Sequence, residues 1–252
     1  MIKLQNVYYE YEQENVLQDI SFSVEEGESI VLLGNNGCGK STLLKLLAGL
    51  IYPKDGNYSY KNNLITKKYL KTHNKEFRKD VSILFQTPDT MLFNPTVYDE
   101  ILFSINEFDV DADVKSIAKE FGIEHILDKS PLKLSGGEKQ KVAFATIFAT
   151  NPKLLLLDEP TANLDPKSTG WFIDFLLEKK ITTIISTHNL SLAYELGDRA
   201  IAMNEEHKII FDGDIKELFQ NKELLLEANL MHKHNHSHKD LQHSHFHIHN
   251  WN

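Results

Sequence analysis

The sequence predicts a three-layer α/β fold, and three observations indicate it. Apolar runs typical of buried strands alternate with segments of helical periodicity. One such run, at 29–33, leads into a glycine-rich loop that is followed by a helix expected over 41–50. Another, at 153–158, ends on an acidic residue. Together these features predict a core in which helices cover a sheet containing buried parallel strands.

The other elements follow from the same patterns. Turn residues at 25–27 separate early strands from the 29–33 strand, and helical periodicity dominates from 88 to about 150. Further strands are expected at 2–8, 20–24, 81–85, 181–187, 199–203 and 208–211. Helices are expected at 114–121, 138–149, 171–177 and 223–230. We therefore expect a domain over 1–220 with a helical subdomain at about 88–150, and a histidine-rich tail over 221–252.

The composition is that of an ordinary globular protein and argues against several functional classes. With 252 residues, 41% of them hydrophobic and 25% charged, the chain suffices for one large domain or two small ones. A net charge of -9 argues against nucleic acid as a partner. The sequence has no apolar run long enough to cross a bilayer, and its start lacks a secretion signal. Cys38 is the single cysteine, which excludes an intrachain disulfide. We expect a cytosolic protein.

The glycine-rich loop has the pattern of a phosphate-binding loop. Glycines permit the tight turn and leave backbone N–H groups free to converge on phosphate oxygens at the start of a helix. Lys40 is then expected to reach the β- and γ-phosphates, and the Ser41 hydroxyl to coordinate Mg²⁺. The alternative is a chance glycine loop before a helix. The candidate nucleotide-binding residues here are Gly34, Asn35, Asn36, Gly37, Cys38, Gly39, Lys40, Ser41 and Thr42.

Two acids end the 153–158 strand. An acid after an apolar strand is costly unless it faces a cleft and a cation, so Asp158 is predicted to hold the water shell of Mg²⁺. Glu159 is placed to polarise the water that attacks the γ-phosphorus. The alternative is an exposed strand-end acid before a turn at Pro160.

A second glycine segment, Ser135-Gly136-Gly137, precedes the helix expected at 138–149. A helix start with small residues binds anions, and the nucleotide of the first loop already has a helix terminus of its own. The segment is therefore expected to serve a nucleotide held by another subunit. A plain N-cap by Ser135, with Glu138 three residues later, explains the same spacing. Spacing alone leaves both interpretations open.

These motifs resemble, in order and approximate spacing, those of an ABC transporter ATPase over residues 1–220. The motifs are 34–41, Gln86, 134–138, 154–159, 162–165 and His188. The resemblance implies an ABC ATPase cassette, with a RecA-like P-loop core, an antiparallel β subdomain and a helical subdomain. It implies ATP and Mg²⁺ as cofactors, and a homodimer or a heterodimer with a related ATPase. Integral membrane subunits and the cytoplasmic face of the membrane are also implied, and Ser135–Gly137 contacts are assigned to the second copy.

Individual roles are carried over by position. Tyr11 resembles the residue that stacks on adenine, with Tyr8 and Tyr9 as rivals and a core-facing tyrosine as the alternative. Gln86 resembles the residue that senses Mg²⁺ and the γ-phosphate. His188 resembles the switch histidine, although a lone histidine is more often structural. Asp165 resembles the loop acid that arranges the hydrolytic water.

Two positions depart from or vary within the family pattern. Glu138 stands where the family most often has glutamine, and we expect hydrolysis to survive. Cys38 occupies a variable loop position and is interpreted as tolerated rather than catalytic. Because a helix start lowers a thiol pKa, a thiol reagent at Cys38 is expected to block nucleotide entry.

The segment 85–100 resembles that of energy-coupling-factor ATPases, which power uptake of transition metals and vitamins. Leu92, Phe93 and Val97 are apolar residues around a proline-containing turn, and we expect them to grip a helix of a membrane subunit. The alternative is a turn packed on its own helical insert.

Eight of the twelve histidines lie in the tail, alternating with other residues. Neutral imidazole binds Ni²⁺, Co²⁺, Zn²⁺ and Cu²⁺, and His-x-His spacing lets neighbouring rings chelate one ion. The candidate ligands are His232, His234, His236, His238, His243, His245, His247 and His249. With the resemblance above, the tail favours an importer of nickel or cobalt. The alternatives are an inconsequential low-complexity end or a cloning remnant.

Three other functions remain open at this point. One is a vitamin or zinc importer whose tail is incidental. Another is a soluble ABC protein acting in translation or DNA repair, and a third is a metal-buffering protein with a vestigial cassette.

Overall fold

The computed structural model describes residues 1–238 and 241–248. The chain forms two compact units. Unit 1 combines Met1–Ile65 with the chain from Ile184 onward, and unit 2 is Thr66–Thr183. The helical segment expected over 88–150 lies within unit 2, while the expected boundary at residue 221 stays a prediction.

The N-terminal part of unit 1 is built on an antiparallel sheet. Its elements are Ile2–Tyr11 (β1), Glu14–Val24 (β2), Ser29–Leu33 (β3), Lys40–Leu47 (α1), Asp55–Tyr60 (β4) and Asn63–Leu64 (β5). The sheet has the order β2-β1-β4-β5. At the start of β1, Ile2 and Leu4 are buried while Lys3 and Gln5 are exposed, and Leu4 lies opposite both Phe22 and Tyr58. One face of this sheet is therefore apolar, as a period of two requires.

Unit 2 is mainly helical, with one parallel strand pair. Its elements are Lys67–Asp80 (α2), Val81–Leu84 (β6), Val97–Glu107 (α3), Val114–Glu120 (α4), Gly136–Phe148 (α5), Leu154–Asp158 (β7) and Pro166–Lys179 (α6). Short 3₁₀ turns lie at Pro88–Thr90, Glu124–Ile126 and Pro131–Lys133. Strands β6 and β7 pair in parallel. Phe121, Phe144 and Phe175 pack with ring centroids 5.0–5.4 Å apart, which joins α4, α5 and α6.

The chain then returns to unit 1 through Thr182–Ser186 (β8). The remaining elements are Leu190–Leu196 (α7), Arg199–Met203 (β9), Ile209–Asp214 (β10), Ile215–Gln220 (α8), Lys222–Glu227 (α9), Met231–His238 (β11) and Leu241–Ile248 (β12). Strand β9 is parallel to β3 and antiparallel to β10. Val31, Leu33, Ala200 and Ala202 of β3 and β9 are fully buried in one cluster. The strand that leads into the glycine loop is thus close-packed against its neighbour.

Most helices begin at a polar side chain that accepts a backbone hydrogen bond. These N-caps are Thr66, Thr96, Asp113, Ser135, Asp165, Asn189, Asp214 and Asn221. Each cap satisfies one of the amides that a helix leaves without an internal partner. Helix α1 differs, since its N-cap Gly39 makes no side-chain hydrogen bond. Among the described residues, no helix combines the length and apolarity that a membrane crossing would need.

Candidate functional site

The glycine loop connects β3 to α1 in a conformation that requires glycine at two positions. Gly34 has φ 143° and Gly39 has φ 111°, both in the region that L side chains rarely adopt. A Cβ atom on Gly34 would collide with the carbonyl oxygen of Met203, and one on Gly39 with that of Val16. The loop is therefore held closely against its neighbours in unit 1.

Lys40 lies inside this loop. Its side chain is buried, and Nζ donates hydrogen bonds to the carbonyl oxygens of Gly34 at 2.7 Å and Asn35 at 3.0 Å. A buried ammonium needs such acceptors, because its desolvation is otherwise costly. The loop thus places one positive charge beside the N-terminus of α1, an arrangement that suits a phosphate. Ser41 is exposed in the first turn of α1, and Thr42 after it is buried.

Cys38 contradicts one expectation. The thiol is buried, and burial raises its pKa although the nearby Lys40 acts in the opposite direction. The expected lowering of the pKa by the helix start is therefore wrong, because desolvation of the thiolate has the larger effect. Burial thus disfavours the reactive thiolate form of Cys38.

The turn between β9 and β10 supports the glycine loop, a contact that no sequence pattern indicates. Glu205 accepts a hydrogen bond from Nδ2 of Asn35 at 3.4 Å. His207 places Nδ1 3.2 Å from the carbonyl oxygen of Cys38, and its own carbonyl accepts from the amide of Gln18 at 3.0 Å. The outer side of the loop is thus tied to a hairpin turn of the same unit.

Two other predicted residues belong to unit 1. The amide of Thr187 donates to the carbonyl oxygen of Leu32 at 3.3 Å, so His188 follows β8 at the end where β3 enters the glycine loop. His188 is half-buried. Tyr11 ends β1, is 42% exposed and contacts Tyr9 edge to face at 4.9 Å. This exposure excludes the core-facing alternative for Tyr11 and leaves its ring available for stacking, as it does for Tyr8, which is 38% exposed.

In unit 2, the predicted acids end β7 as expected. Asp158 and Glu159 are both buried, so the exposed strand-end alternative does not apply. Glu159 has φ 46°, in the left-handed region that is unfavourable for a residue with a side chain. Its carbonyl accepts from the amide of Ala162 at 3.2 Å in the following turn. A strained, buried carboxylate at a strand end is typical of a functional position.

A cavity of about 360 Å³ in unit 2 brings three separate motifs together. Gln86, Gly136 and Asn163 line it, with Thr87, Pro88, Asp89 and Ala162. Asn163 donates from Nδ2 to the carbonyl oxygen of Gln86 at 3.2 Å. A Cβ atom on Gly137 would lie 3.3 Å from the carbonyl oxygen of Asn163, a tight contact that favours glycine. Asn163 therefore connects the glutamine to the second glycine segment.

The second glycine segment opens helix α5 with a capping box. Ser135 Oγ accepts from the amide of Glu138 at 3.3 Å, and the amide and hydroxyl of Ser135 both donate to Glu138 Oε2 at 2.8 Å. These hydrogen bonds hold the pKa of Glu138 below its usual range. The N-cap interpretation is thus confirmed as local structure. An anion site on a second copy remains compatible with it and stays a prediction.

Asp165 also caps a helix. It accepts at the start of α6 from the amide of Ser168 at 3.0 Å and from its hydroxyl at 2.7 Å, and these bonds lower its pKa. This contact accounts for the aspartate structurally. Its role in arranging the hydrolytic water stays a prediction.

Comparison with known proteins shows which family the chain belongs to. A sequence model described as ABC transporter matches residues 17–162. An ABC transporter ATP-binding protein of Caldanaerobacter subterraneus subsp. tengcongensis is 45% identical over 241 residues, covering 92% of this chain and 99% of that protein. The chain belongs to the ABC transporter family. It is an ATPase, with ATP and Mg²⁺ as its cofactors, and its α/β cassette fold is confirmed.

Two further relatives of this ABC ATPase are informative. The energy-coupling factor transporter ATP-binding protein EcfA of Methanocaldococcus jannaschii is 37% identical, covering 91% of this chain and 85% of that protein. The structure of CbiO1 from Clostridium perfringens, described as part of the ABC transporter complex CbiONQ, aligns with a TM-score of 0.72. Its identity is 32%, with 91% of this chain and 94% of that one covered. The expected group resemblance is therefore confirmed.

The residue types predicted to serve this ABC ATPase suit Mg²⁺. The hydroxyl of Ser41, the carboxylate of Asp158 and the amide oxygen of Gln86 are hard oxygen donors of the kind that Mg²⁺ prefers. Their roles as ligands, and that of the Lys40 ammonium in balancing phosphate oxygens, stay predictions.

The expected docking surface is partly wrong. Leu92 and Val97 are both buried in unit 2. Val97 is the first residue of α3 after the Thr96 cap and faces inward. Phe93 is 69% exposed, and its ring lies 5.2 Å from that of Phe103 in an edge-to-face pair. We call this exposed aromatic pair, Phe93 and Phe103, the α3 patch.

Glu100, which the sequence did not single out, holds this loop in place. Its carboxylate is buried and accepts hydrogen bonds from the amides of Phe93 and Asn94 and from Asn94 Nδ2. A buried carboxylate is stable only with such partners. The sequence signal for this role is a glutamate in the first turn of the helix that follows the loop.

The tail histidines lie mostly on strands β11 and β12. His232, His234, His236 and His238 belong to β11, and His243, His245 and His247 to β12. His249 lies outside the described residues. Among the residues whose side chains the structure describes, no three histidine, cysteine or acidic residues form a group suited to a metal ion.

Proposed function

We propose that this chain is the ATP-hydrolysing subunit of an energy-coupling-factor importer that takes up nickel or cobalt ions. The importer group is supported by the likeness to EcfA and CbiO1. The metal cargo rests on one observation, the eight histidines that follow Met231.

Unit 1 supplies the residues that hold the nucleotide. The backbone amides of residues 34–41 accept the phosphates, while Lys40 balances the charge of the β- and γ-phosphates. Tyr11 stacks on the adenine ring, which suits its exposure. His188 contacts the γ-phosphate from the end of β8 and distinguishes ATP from ADP.

Unit 2 supplies the residues for hydrolysis. Glu159 accepts a proton from the attacking water, and the carboxylate of Asp158 holds the water shell of Mg²⁺. Bound Mg²⁺ neutralises developing charge on the phosphates. Gln86 reports the presence of Mg²⁺ and the γ-phosphate, and its backbone contact with Asn163 links it to the loop that carries Asp165.

A second copy completes each reaction centre in this proposal. Ser135, Gly136 and Gly137 open a thirteen-residue helix whose N-terminus attracts anions, so they bind the γ-phosphate held by the other copy. ATP closes the dimer and hydrolysis opens it. A homodimer hydrolyses at both sites, and a heterodimer with a related ATPase uses the same contacts.

The α3 patch is proposed to dock on a membrane subunit. It follows Gln86 by only a few residues, and an exposed aromatic pair is suited to the apolar face of a partner helix. Movement of the dimer is then passed to the membrane subunit. This places the chain at the cytoplasmic face of the cell membrane.

Uptake of labelled Ni²⁺, Co²⁺ and Zn²⁺ tests the cargo. Cells that lack this chain and then regain it should recover Ni²⁺ or Co²⁺ uptake, and Glu159→Gln should not restore it. Because Met231 is buried with Leu230, the tail is best removed after Met231. Recovery of zinc uptake alone, or of none of the three ions, would replace the proposed cargo with that of a zinc or vitamin importer.

A further inference from the structure

The two sets of tail histidines lie opposite each other in one hairpin. Strands β11 and β12 are antiparallel, and their register pairs His232 with His247, His234 with His245 and His236 with His243. Along the chain, successive histidines of each strand are two residues apart. The register instead makes their nearest histidines those of the other strand.

All six of these positions share one face of the hairpin. Residues two apart in a strand lie on the same face, and directly paired residues share a face across the ladder. The opposite face consists of Met231, Lys233, Asn235, Ser237, Gln242, Ser244, Phe246 and Ile248. A slip of one residue in register would move one set of histidines to that other face. The pairing thus concentrates the imidazole-bearing positions in one place.

Strand geometry favours ligation across the hairpin. Directly opposite residues have Cβ atoms about 4.5–5.5 Å apart. Residues two apart along one strand are about 6.6 Å apart. An ion held by imidazole nitrogens at about 2.0–2.1 Å requires its ligands to converge closely. Directly paired positions meet this requirement better than His-x-His positions within one strand.

The root of the hairpin is fixed to unit 1. Met231 is buried in a cluster with Leu225, Ala228 and Leu230, and the amide of Leu230 donates to the carbonyl oxygen of Leu225 at 2.8 Å. Asn229 donates to Glu205 at 2.6 Å. Because Met231 is the first paired residue of β11, the strand begins at a point that is packed into unit 1.

We propose that the cross-strand histidine positions 232/247, 234/245 and 236/243, which the register places together, form a binding site for a divalent transition-metal ion. A two-stranded hairpin is only marginally stable alone in water, so ligation also stabilises the strand pairing. The site rests on the proposed function only in naming nickel or cobalt as the ion. It defines a structured site in place of flexible chelation along the tail.

Exchange of neighbouring residues separates these two kinds of binding. In the one-strand exchange, the three histidine positions of β12 move to the other face, the composition is kept, and the three histidines stay two residues apart. Its substitutions are Gln242→His, His243→Gln, Ser244→His, His245→Ser, Phe246→His and His247→Phe. The two-strand exchange adds the matching change in β11, which restores three cross-strand pairs at 233/246, 235/244 and 237/242. The added substitutions are His232→Lys, Lys233→His, His234→Asn, Asn235→His, His236→Ser and Ser237→His.

The untagged full chain and both variants are titrated with Ni²⁺ by calorimetry, with far-ultraviolet circular dichroism before and after addition. We expect the one-strand exchange to weaken Ni²⁺ binding by about tenfold or more, and the two-strand exchange to restore it. Ni²⁺ should add strand signal in the original chain and in the two-strand exchange. Equal affinity of all three proteins overturns the proposal in favour of chelation along each strand, and so does failure of the two-strand exchange to recover.

This experiment is independent of the cargo. The titration uses purified protein without membrane subunits, so a different transported substrate leaves the expected affinity pattern unchanged. Conversely, if the chain supports nickel uptake in cells but all three proteins bind Ni²⁺ equally well, the paired site is rejected and the importer function is retained.

Discussion

Ser135 and Glu138 hold each other in a reciprocal capping box at the start of α5. The amide and hydroxyl of Ser135 donate to one carboxylate oxygen of Glu138, each at 2.8 Å. The negative charge therefore lies on the same helix N-terminus that is proposed to bind the γ-phosphate of a second copy. The lowered pKa of Glu138 keeps this charge present at neutral pH. Phosphate binding must then compete with an internal anion.

Glu138→Gln should strengthen the ATP-dependent dimer. Glutamine preserves the capping box but removes the charge, so the phosphate meets less repulsion. In a Glu159→Gln background, we expect several-fold tighter dimerisation with MgATP, measured by sedimentation at low salt. The difference should be constant between about pH 6 and pH 8, since the carboxylate stays ionised there.

Glu138→Ala is the control for the cap itself. It also removes the charge but loses the bond from the Ser135 amide, so it should lower stability by about 1 kcal/mol. A Glu138→Gln dimer that is no tighter than the original would show that the carboxylate does not oppose the nucleotide.

Glu159→Gln should abolish turnover and leave ATP binding intact. The amide cannot accept the proton of the attacking water, whereas Lys40 and the loop still hold the phosphates. Loss of kcat by about 10² to 10⁴ is expected from removing a general base. Steady-state hydrolysis measures the loss of turnover, and equilibrium binding of ATP measures whether binding is retained. Glu195→Gln, an exposed position on α7, is the matched control and should hydrolyse normally.

Backbone strain at Glu159 predicts an unusual order of stabilities. At φ 46° any side chain is disfavoured, so Glu159→Gly should be more stable than Glu159→Ala by about 1 kcal/mol. In thermal unfolding this corresponds to about 2–4 °C for a chain of this size. The same two changes at Glu178, within helix α6, should give the opposite order, because glycine is the poorer helix former. The same order at both positions would argue against strain.

Cys38 should react slowly with maleimide in the folded protein. Burial raises the thiol pKa, so the reactive thiolate is scarce near neutral pH, and its rate should rise as the pH increases. The chain unfolded in urea provides the comparison, since Cys38 is its only cysteine. Equal rates in the folded and unfolded chain would mean that the loop opens readily enough to expose the thiol.

The sequence predicted those parts of the fold that depend on local pattern. The strand at 29–33 and the strand at 199–203 have the expected bounds, and each is an apolar run buried in the sheet. Strand β4 was not predicted, because Asp55, Gly56 and Asn57 have low strand propensity. Its pairing with β1 and the burial of Tyr58 override that preference. Tertiary contacts of this kind are not visible in the sequence.

The candidate site likewise contains motifs that the sequence predicts and contacts that only the fold reveals. The glycine loop and the acids of β7 follow from short-range spacing, and the structure places each at a strand end. Contact between Gln86 and Asn163 joins residues far apart in the chain, so only the fold reveals it. The exposure of Phe93 and the burial of Leu92 depend on how α3 is rotated, which Glu100 fixes through the preceding loop.

Phe93→Ser should separate hydrolysis from transport. Phe93 is exposed, makes its aromatic contact with Phe103 and lies outside the proposed catalytic residues, so basal ATP hydrolysis of the purified chain should be unchanged. Loss of an aromatic anchor from a docking surface costs about 2 kcal/mol or more, which corresponds to about 30-fold weaker binding of a membrane subunit. Uptake in cells should fall accordingly. Leu177→Ser, at an exposed position of α6, is the matched control, and equal uptake by the two variants would show that the α3 patch is not the docking surface.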